Sequence, residues 1–178
     1  MSGPVTLYLV RHGRSTMDRD TAPHTWGLDS AGYPAIDELR TSGRLPAEAL
    51  WFTSPEPKTR ATARRLTGRD VEVVHDLREH ERHSTVWLDD FPAVVRRAFD
   101  HPAQPAHPGW EPLARTRERV AGAVRRLLEE HPGRDLVLVG HGTAWTVLRS
   151  ELTGEPPDLD AWARLRMPDV WVLEPRAV

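Results

Sequence analysis

The chain has 178 residues, 39% hydrophobic and 28% charged, a formal net charge of -2 and no cysteine. That suits a single globular domain over residues 1–178, and it excludes disulfides, thiolate metal sites and cysteine nucleophiles. Near-neutral charge without a block of like residues argues against nucleic acid or a membrane surface as partner, and no apolar run is long enough to span a bilayer.

Residues 5–10 are apolar at nearly every position, as in a strand covered on both faces of a parallel sheet. No basic segment precedes them and no small-residue cleavage site follows, so they read as a strand and not a signal peptide; the cytoplasm is the expected compartment. Residues 14–30 form a loop containing His24 and Trp26. Ser30 is placed to cap a helix over 31–41, closed by Gly43. A second strand spans 50–53. Ser54 and Pro55 open a helix that runs to Leu66 and stops at Gly68.

A third strand is expected at 71–74, followed by a polar, histidine-rich loop over 75–85. Residues 86–99 have helical apolar spacing, with Pro92 near the start. The proline-rich stretch 101–112 is loop. Leu113, Val120, Ala121, Val124, Leu127 and Leu128 make one apolar stripe on a helix over 113–130. A fourth strand at 136–139, a helix over 143–152 closed by Gly154, a short helix near 159–165 and a strand at 170–173 complete the chain. Strands alternate with helices, which predicts a three-layer α/β/α sandwich on a mostly parallel central sheet.

Two junctions share one pattern. The first strand runs into Arg11, His12 and Gly13, and the fourth runs into Gly140, His141 and Gly142. In open α/β sheets ligands bind at the carboxyl ends of the strands. Both histidines therefore belong at one rim, together with Ser54-Pro55 and the residues after Val74. Glycine beside each histidine lets backbone approach a ligand, and N–H groups there can face an anion.

Leu9-Val10-Arg11-His12-Gly13 resembles the signature of the histidine phosphatase superfamily, the phosphoglycerate mutase-like family, in the branch with the Arg-His-Gly motif. Ser54 to Ala63 is similar to its second motif, Leu77-Arg78-Glu79 to the segment carrying its acidic residue, Gly109-Trp110-Glu111 to its Gly-Glu-Ser element, and Gly140-His141-Gly142 to its last motif. The matches fall in the family's order. The resemblance implies a phosphoglycerate mutase-like fold and a phosphomonoester hydrolase of the histidine acid phosphatase type that needs neither metal nor cofactor. His12 is then the nucleophile that becomes phosphohistidine. Arg11 offers a planar fork to phosphate oxygens. His141, if protonated, adds charge and a donor. Glu79 is the general acid and then the base, with a raised pKa. Gly13, Ser15, Lys58 and Gly142 complete the phosphate site.

Four departures from the family pattern stand out. Lys58, the only lysine among 24 basic residues, stands where an arginine usually binds phosphate. Arg60 lies two residues on, about 200° around a helix, so only one of them can face the pocket; Thr62-Ala63 keeps the register and points to Lys58. Asp18 stands where many relatives carry a phosphate-binding asparagine. Arg14 replaces a residue that is often acidic; it recruits a second anionic group or is simply solvated. Glu81 is an alternative to Glu79 as the acid.

His75, His80 and His83 lack regular ligand spacing, so no metal site is expected, and His80 or His83 could instead contact substrate. Trp26, Trp87 and Trp110 either wall a substrate pocket or pack a minor cluster. The expected partner is a small phosphorylated substrate or a phosphoprotein, bound by a monomer or a homodimer. The rival readings are a catalytically impaired, phosphate-binding or regulatory protein on the same fold, motivated by Lys58 and Asp18, and a phosphomutase.

Overall fold

The computed structural model describes residues 5–175; the ends of the expected domain, residues 1–4 and 176–178, lie outside the described residues. Five strands form one sheet: β1 (Leu7–Arg11), β2 (Leu50–Thr53), β3 (Glu72–Val73), β4 (Leu136–Gly140) and β5 (Asp169–Leu173). Their order is β3-β2-β4-β1-β5, with β5 antiparallel to β1 and every other pairing parallel. The helices are α1 (Tyr33–Thr41), α2 (Pro57–Thr67), α3 (Phe91–Asp100), α4 (Leu113–Glu130), α5 (Gly142–Thr153) and α6 (Leu159–Ala163).

The continuous apolar strands are explained by burial on both faces. Leu7, Leu9, Leu136 and Leu138 pack with Val120, Val124 and Leu127 of α4 and Trp145 and Leu148 of α5. Their alternate neighbours Val10, Val137 and Val139 pack with Ile36 and Leu39 of α1 and Ala63 and Leu66 of α2. This gives the mostly parallel α/β layering expected from the sequence.

Several expected boundaries move: the helix expected to open at Ser54-Pro55 begins at Pro57, with Glu56 as its N-cap, and the strand expected at 71–74 spans only Glu72–Val73. The helix expected over 86–99 begins only at Phe91, where the Asp90 carboxylate accepts from the Ala93 N–H and Pro92 occupies the first turn. Residues 86–88 are left as a rim segment with Val86 and Trp87 exposed. The helix expected from Ala31 begins at Tyr33, because Ser30–Gly32 forms a tighter 3-10 turn capped by the Asp29 side chain.

The strand ends are stitched together. The His12 N–H donates to the Gly140 carbonyl at 2.9 Å and the Ser54 N–H to the Val139 carbonyl at 3.0 Å. Trp145 reaches back from α5 and donates its indole N–H to the Val10 carbonyl at 2.9 Å. A Cβ on Gly140 would stand 2.3 Å from that indole, so only glycine admits the contact. The three strand ends β1, β4 and β2 thus form one rigid platform.

Candidate active site

His12 and His141 emerge from neighbouring parallel strands, are 7% and 0% exposed, and face each other with ring centroids 5.5 Å apart. His12 Nδ1 lies 2.7 Å from the Gly13 carbonyl oxygen. A carbonyl only accepts, so Nδ1 carries the proton and Nε2 keeps a free lone pair. Burial pushes the His12 pKa well below its usual value, and His141 and Lys58 push it the same way, against the Gly13 hydrogen bond. The ring is a neutral base held in one tautomer, as a nitrogen nucleophile requires.

His141 Nε2 is 2.7 Å from the Ser54 hydroxyl, which is 2.7 Å from Thr59 Oγ1. When Ser54 donates, the His141 proton sits on Nδ1, a buried nitrogen without a partner among the described residues. Burial lowers the His141 pKa to about 3; Glu79 opposes that and Lys58, Arg82 and Arg11 add to it. The expected imidazolium is therefore a neutral donor.

Around the pair opens a pocket of about 520 Å³, lined among others by Arg11, Ser15, Glu56, Lys58, Glu79 and Arg82. Lys58 is buried there and Arg60 is exposed on the far side of α2, which resolves the choice between them. Lys58 Nζ donates to the Pro23 carbonyl at 2.7 Å and lies 3.1 Å from Glu56 Oε2, with both side chains 7% exposed. Arg11 donates outward to the Leu165 and Arg166 carbonyls, while its Nε is buried without a partner among the described residues.

Glu79 differs from expectation. Its carboxylate accepts the Ala144 N–H at 2.8 Å and the Thr143 N–H at 3.2 Å at the start of α5, and the His80 N–H at 2.9 Å. It caps a helix N-terminus, where negative charge is favoured. Burial works to raise its pKa, but Arg82, the neighbouring histidines and the His80 N–H prevail and bring it to about 2. The direction is thus the reverse of the raised pKa expected from the sequence. Glu81, the alternative, is ion-paired with Arg78 and lies near His83.

The two glycines bind differently from expectation. The Gly13 N–H donates to Thr62 Oγ1 at 3.0 Å, so it is not free for phosphate. A Cβ on Gly13 would sit 2.5 Å from Ile36 Cδ1, and this close packing explains the residue. Gly142 borders Arg11, whose Nε would be 3.3 Å from a Cβ placed there. Its location beside the fork keeps room for Arg11 without making it a pocket-lining residue. Both doubtful loop residues turn away: Arg14 pairs with Asp29 at 3.1 Å, and the exposed Asp18 accepts from the Asp20 N–H at 2.9 Å.

Arg82 and Glu56 were missed in the sequence. Arg82 donates to Thr143 Oγ1 at 3.0 Å and lies 4.8 Å from the ring centres of Phe91 and Trp110. No period marks it, because a loop delivers it. Glu56, 6% exposed, reaches within 3.5 Å of His141 Nε2; its place beside Ser54-Pro55 was the only signal. The loop bearing Glu79 is fixed from behind by Arg119 of α4, which donates to the Asp76, Arg78 and Glu79 carbonyls and pairs with Glu111. His80 Nε2 lies 2.7 Å from the Glu111 carbonyl oxygen, as its donor partner.

The paired histidines at adjacent strand ends agree with the family match: the chain matches the model of the histidine phosphatase superfamily (branch 1) over residues 7–175 and belongs to that family. Solved structures share the fold. Bacillus stearothermophilus YhfR is 22% identical, with a TM-score of 0.74 over 94% of this chain and 90% of that one. A phosphoglycerate mutase from Bacillus anthracis is 18% identical, with a TM-score of 0.74 over 96% and 88%. A mutant phosphoserine phosphatase from Entamoeba histolytica, in complex with phosphoserine, is 15% identical, with a TM-score of 0.73 over 94% and 89%. No curated protein matches the sequence.

Proposed function

We propose that this chain is a metal-independent phosphomonoester hydrolase of the histidine acid phosphatase type, working through a phosphohistidine on His12. The observation that carries it is the His12 ring: buried, neutral, with Nδ1–H on the Gly13 carbonyl and Nε2 free beside His141. Lys58, Arg11 and Arg82 supply positive charge for phosphate oxygens, so electrostatic stabilisation has a source within the protein.

Nε2 of His12 attacks phosphorus in line with the leaving oxygen. The N–P bond forms, the P–O bond to the alcohol breaks, and the alcohol oxygen takes a proton from Glu79. Water then attacks phosphorus, giving its proton back to Glu79, and phosphate leaves as the N–P bond breaks. Glu79 has to be protonated to begin this cycle. Substrate charge arriving beside Arg82 and Lys58 offsets the cations that depress the Glu79 pKa, and acid pH assists. Burial lowers the His12 pKa, which favours its neutral, nucleophilic form. The reading therefore carries an acid optimum.

One observation favours the rival, a phosphate-binding protein with little turnover: Lys58 is already engaged by Glu56 and the Pro23 carbonyl. Hydrolysis of an aryl phosphate in chelator-treated buffer separates the two. Turnover lost in His12→Ala supports the enzyme; tight phosphate binding by a wild type that turns over no ester supports the rival.

A further inference from the structure

A second cavity, of about 290 Å³, adjoins the phosphate pocket, and Met17, Trp26, Arg82 and Phe91 line both. Its walls are aromatic: Trp26 from the loop after β1, Trp87 from the rim segment, Phe91 at the start of α3, and Trp110. Three exposed apolar side chains ring it, Met17 at 70%, Val86 at 64% and Trp87 at 42%. Lone exposed apolar residues need no explanation, but a cluster beside a cavity marks a binding surface. Among the described residues no carboxylate lines it, while Arg19 lies 4.2 Å from the Trp87 ring centre and Arg82 sits between the two cavities.

We infer that this cavity seats the leaving group of the substrate, and that the substrate is the phosphate ester of a planar aromatic alcohol. The inference rests on the phosphatase reading and names its substrate class. A ring fits between Trp26, Trp87, Phe91 and Trp110 by offset or edge contacts. About 150 Å³ of apolar cavity accommodates one benzene ring, so the space here suits two fused rings. Arg82, stacked on Phe91 and Trp110, marks the boundary where the ring ends and the phosphate begins. A cationic leaving group finds no counter-charge among the described residues of these walls, and for a polyhydroxylated one the aromatic faces leave only the Thr21, Ser84 and Thr85 hydroxyls as side-chain partners.

The test has a binding arm and a turnover arm. In His12→Ala, calorimetry compares 1-naphthyl phosphate with glycerol 2-phosphate. The naphthyl ester binds at least ten-fold more tightly, and Trp87→Ala added to His12→Ala removes most of that advantage. In the otherwise wild-type chain, Trp87→Ala lowers the kcat/KM ratio of naphthyl over glycerol ester about ten-fold, mainly through KM. If circular dichroism shows Trp87→Ala to be unstable, Trp87→Leu, which keeps apolar volume without a ring, lowers the same ratio, and a ratio it leaves unmoved overturns the inference. Equal affinity for the two esters overturns the inference, and so does a ratio that Trp87→Ala leaves unmoved. A phosphotyrosyl peptide bound better than the naphthyl ester overturns the small-molecule assignment. If no ester turns over but the binding preference holds, the catalytic reading fails and the aromatic subsite stands.

Discussion

The two ends of the pocket are built differently. At the phosphate end, His12, His141, Ser54 and Lys58 are buried and tied to strand ends or to the first turn of a helix. Backbone bonds such as His12 N–H to the Gly140 carbonyl fix their positions. At the other end, Met17, Val86 and Trp87 sit on loops and face solvent. On the proposed phosphatase reading, the first end handles a group common to every phosphate ester and gains from rigidity. The second handles what differs between substrates, and loops that carry no core can vary without cost to the fold.

This contrast predicts that changes at the phosphate end affect all substrates alike, while rim changes discriminate among them. The largest effect belongs to His12→Ala, which abolishes turnover of naphthyl and glycerol esters together in a steady-state phosphate-release assay. Glu79→Gln comes next. Its amide oxygen still accepts the Ala144 and His80 N–H groups, the longer Thr143 contact is lost to the amide NH2, and the side chain cannot carry a proton, so kcat falls by roughly 10² to 10⁴ on both esters. An unchanged kcat would remove Glu79 from the mechanism and leave Glu56, beside His141, or Glu81 as the acid. Lys58→Ala loses a charge-assisted contact of about 1.5–3 kcal/mol, which a kcat/KM measurement reads as a drop on every ester. The exposed Arg60→Ala, like other surface changes, stays within about 0.5 kcal/mol.

Acid pH acts on fold and activity in opposite directions. In the folded chain the His141 pKa is lowered from its ordinary value of 6.5 to about 3, chiefly by burial, and the Glu79 pKa from 4.5 to about 2 by Arg82 and the neighbouring histidines. The unfolded chain binds more protons throughout that range, so stability is full above pH 6.5 and declines as pH falls toward 3. Thermal melts from pH 8 downward record that decline. Over the same range hydrolysis rises as Glu79 gains its proton.

The phosphate end was legible in the sequence because it hangs on strands. Burial on both faces produces an apolar run that points to its own end, so His12 and His141 follow from Leu7–Val10 and Leu136–Val139. Helical rotation likewise separated Lys58 from Arg60. Arg82 and Glu56 were not legible, since loop residues follow no period and only the folded loop brings them to the pocket. The protonation of Glu79 was misjudged for a related reason: its neighbours in the chain say nothing of the Thr143 and Ala144 N–H groups 64 and 65 residues away. The tryptophans at 26, 87 and 110 were visible as residues, but whether they walled a cavity depended on where α3 begins.

The central claim is that His12 Nε2 attacks phosphorus. The most direct measurement is rapid quenching into base after mixing with 1-naphthyl phosphate, followed by mass spectrometry of the peptide containing residue 12. The account predicts one added phosphoryl group on His12 that appears with the first turnover, decays as substrate is exhausted, and is missing in His12→Ala. Steady turnover with His12 unmodified at every quench time, or a phosphoryl group on another residue, would contradict it.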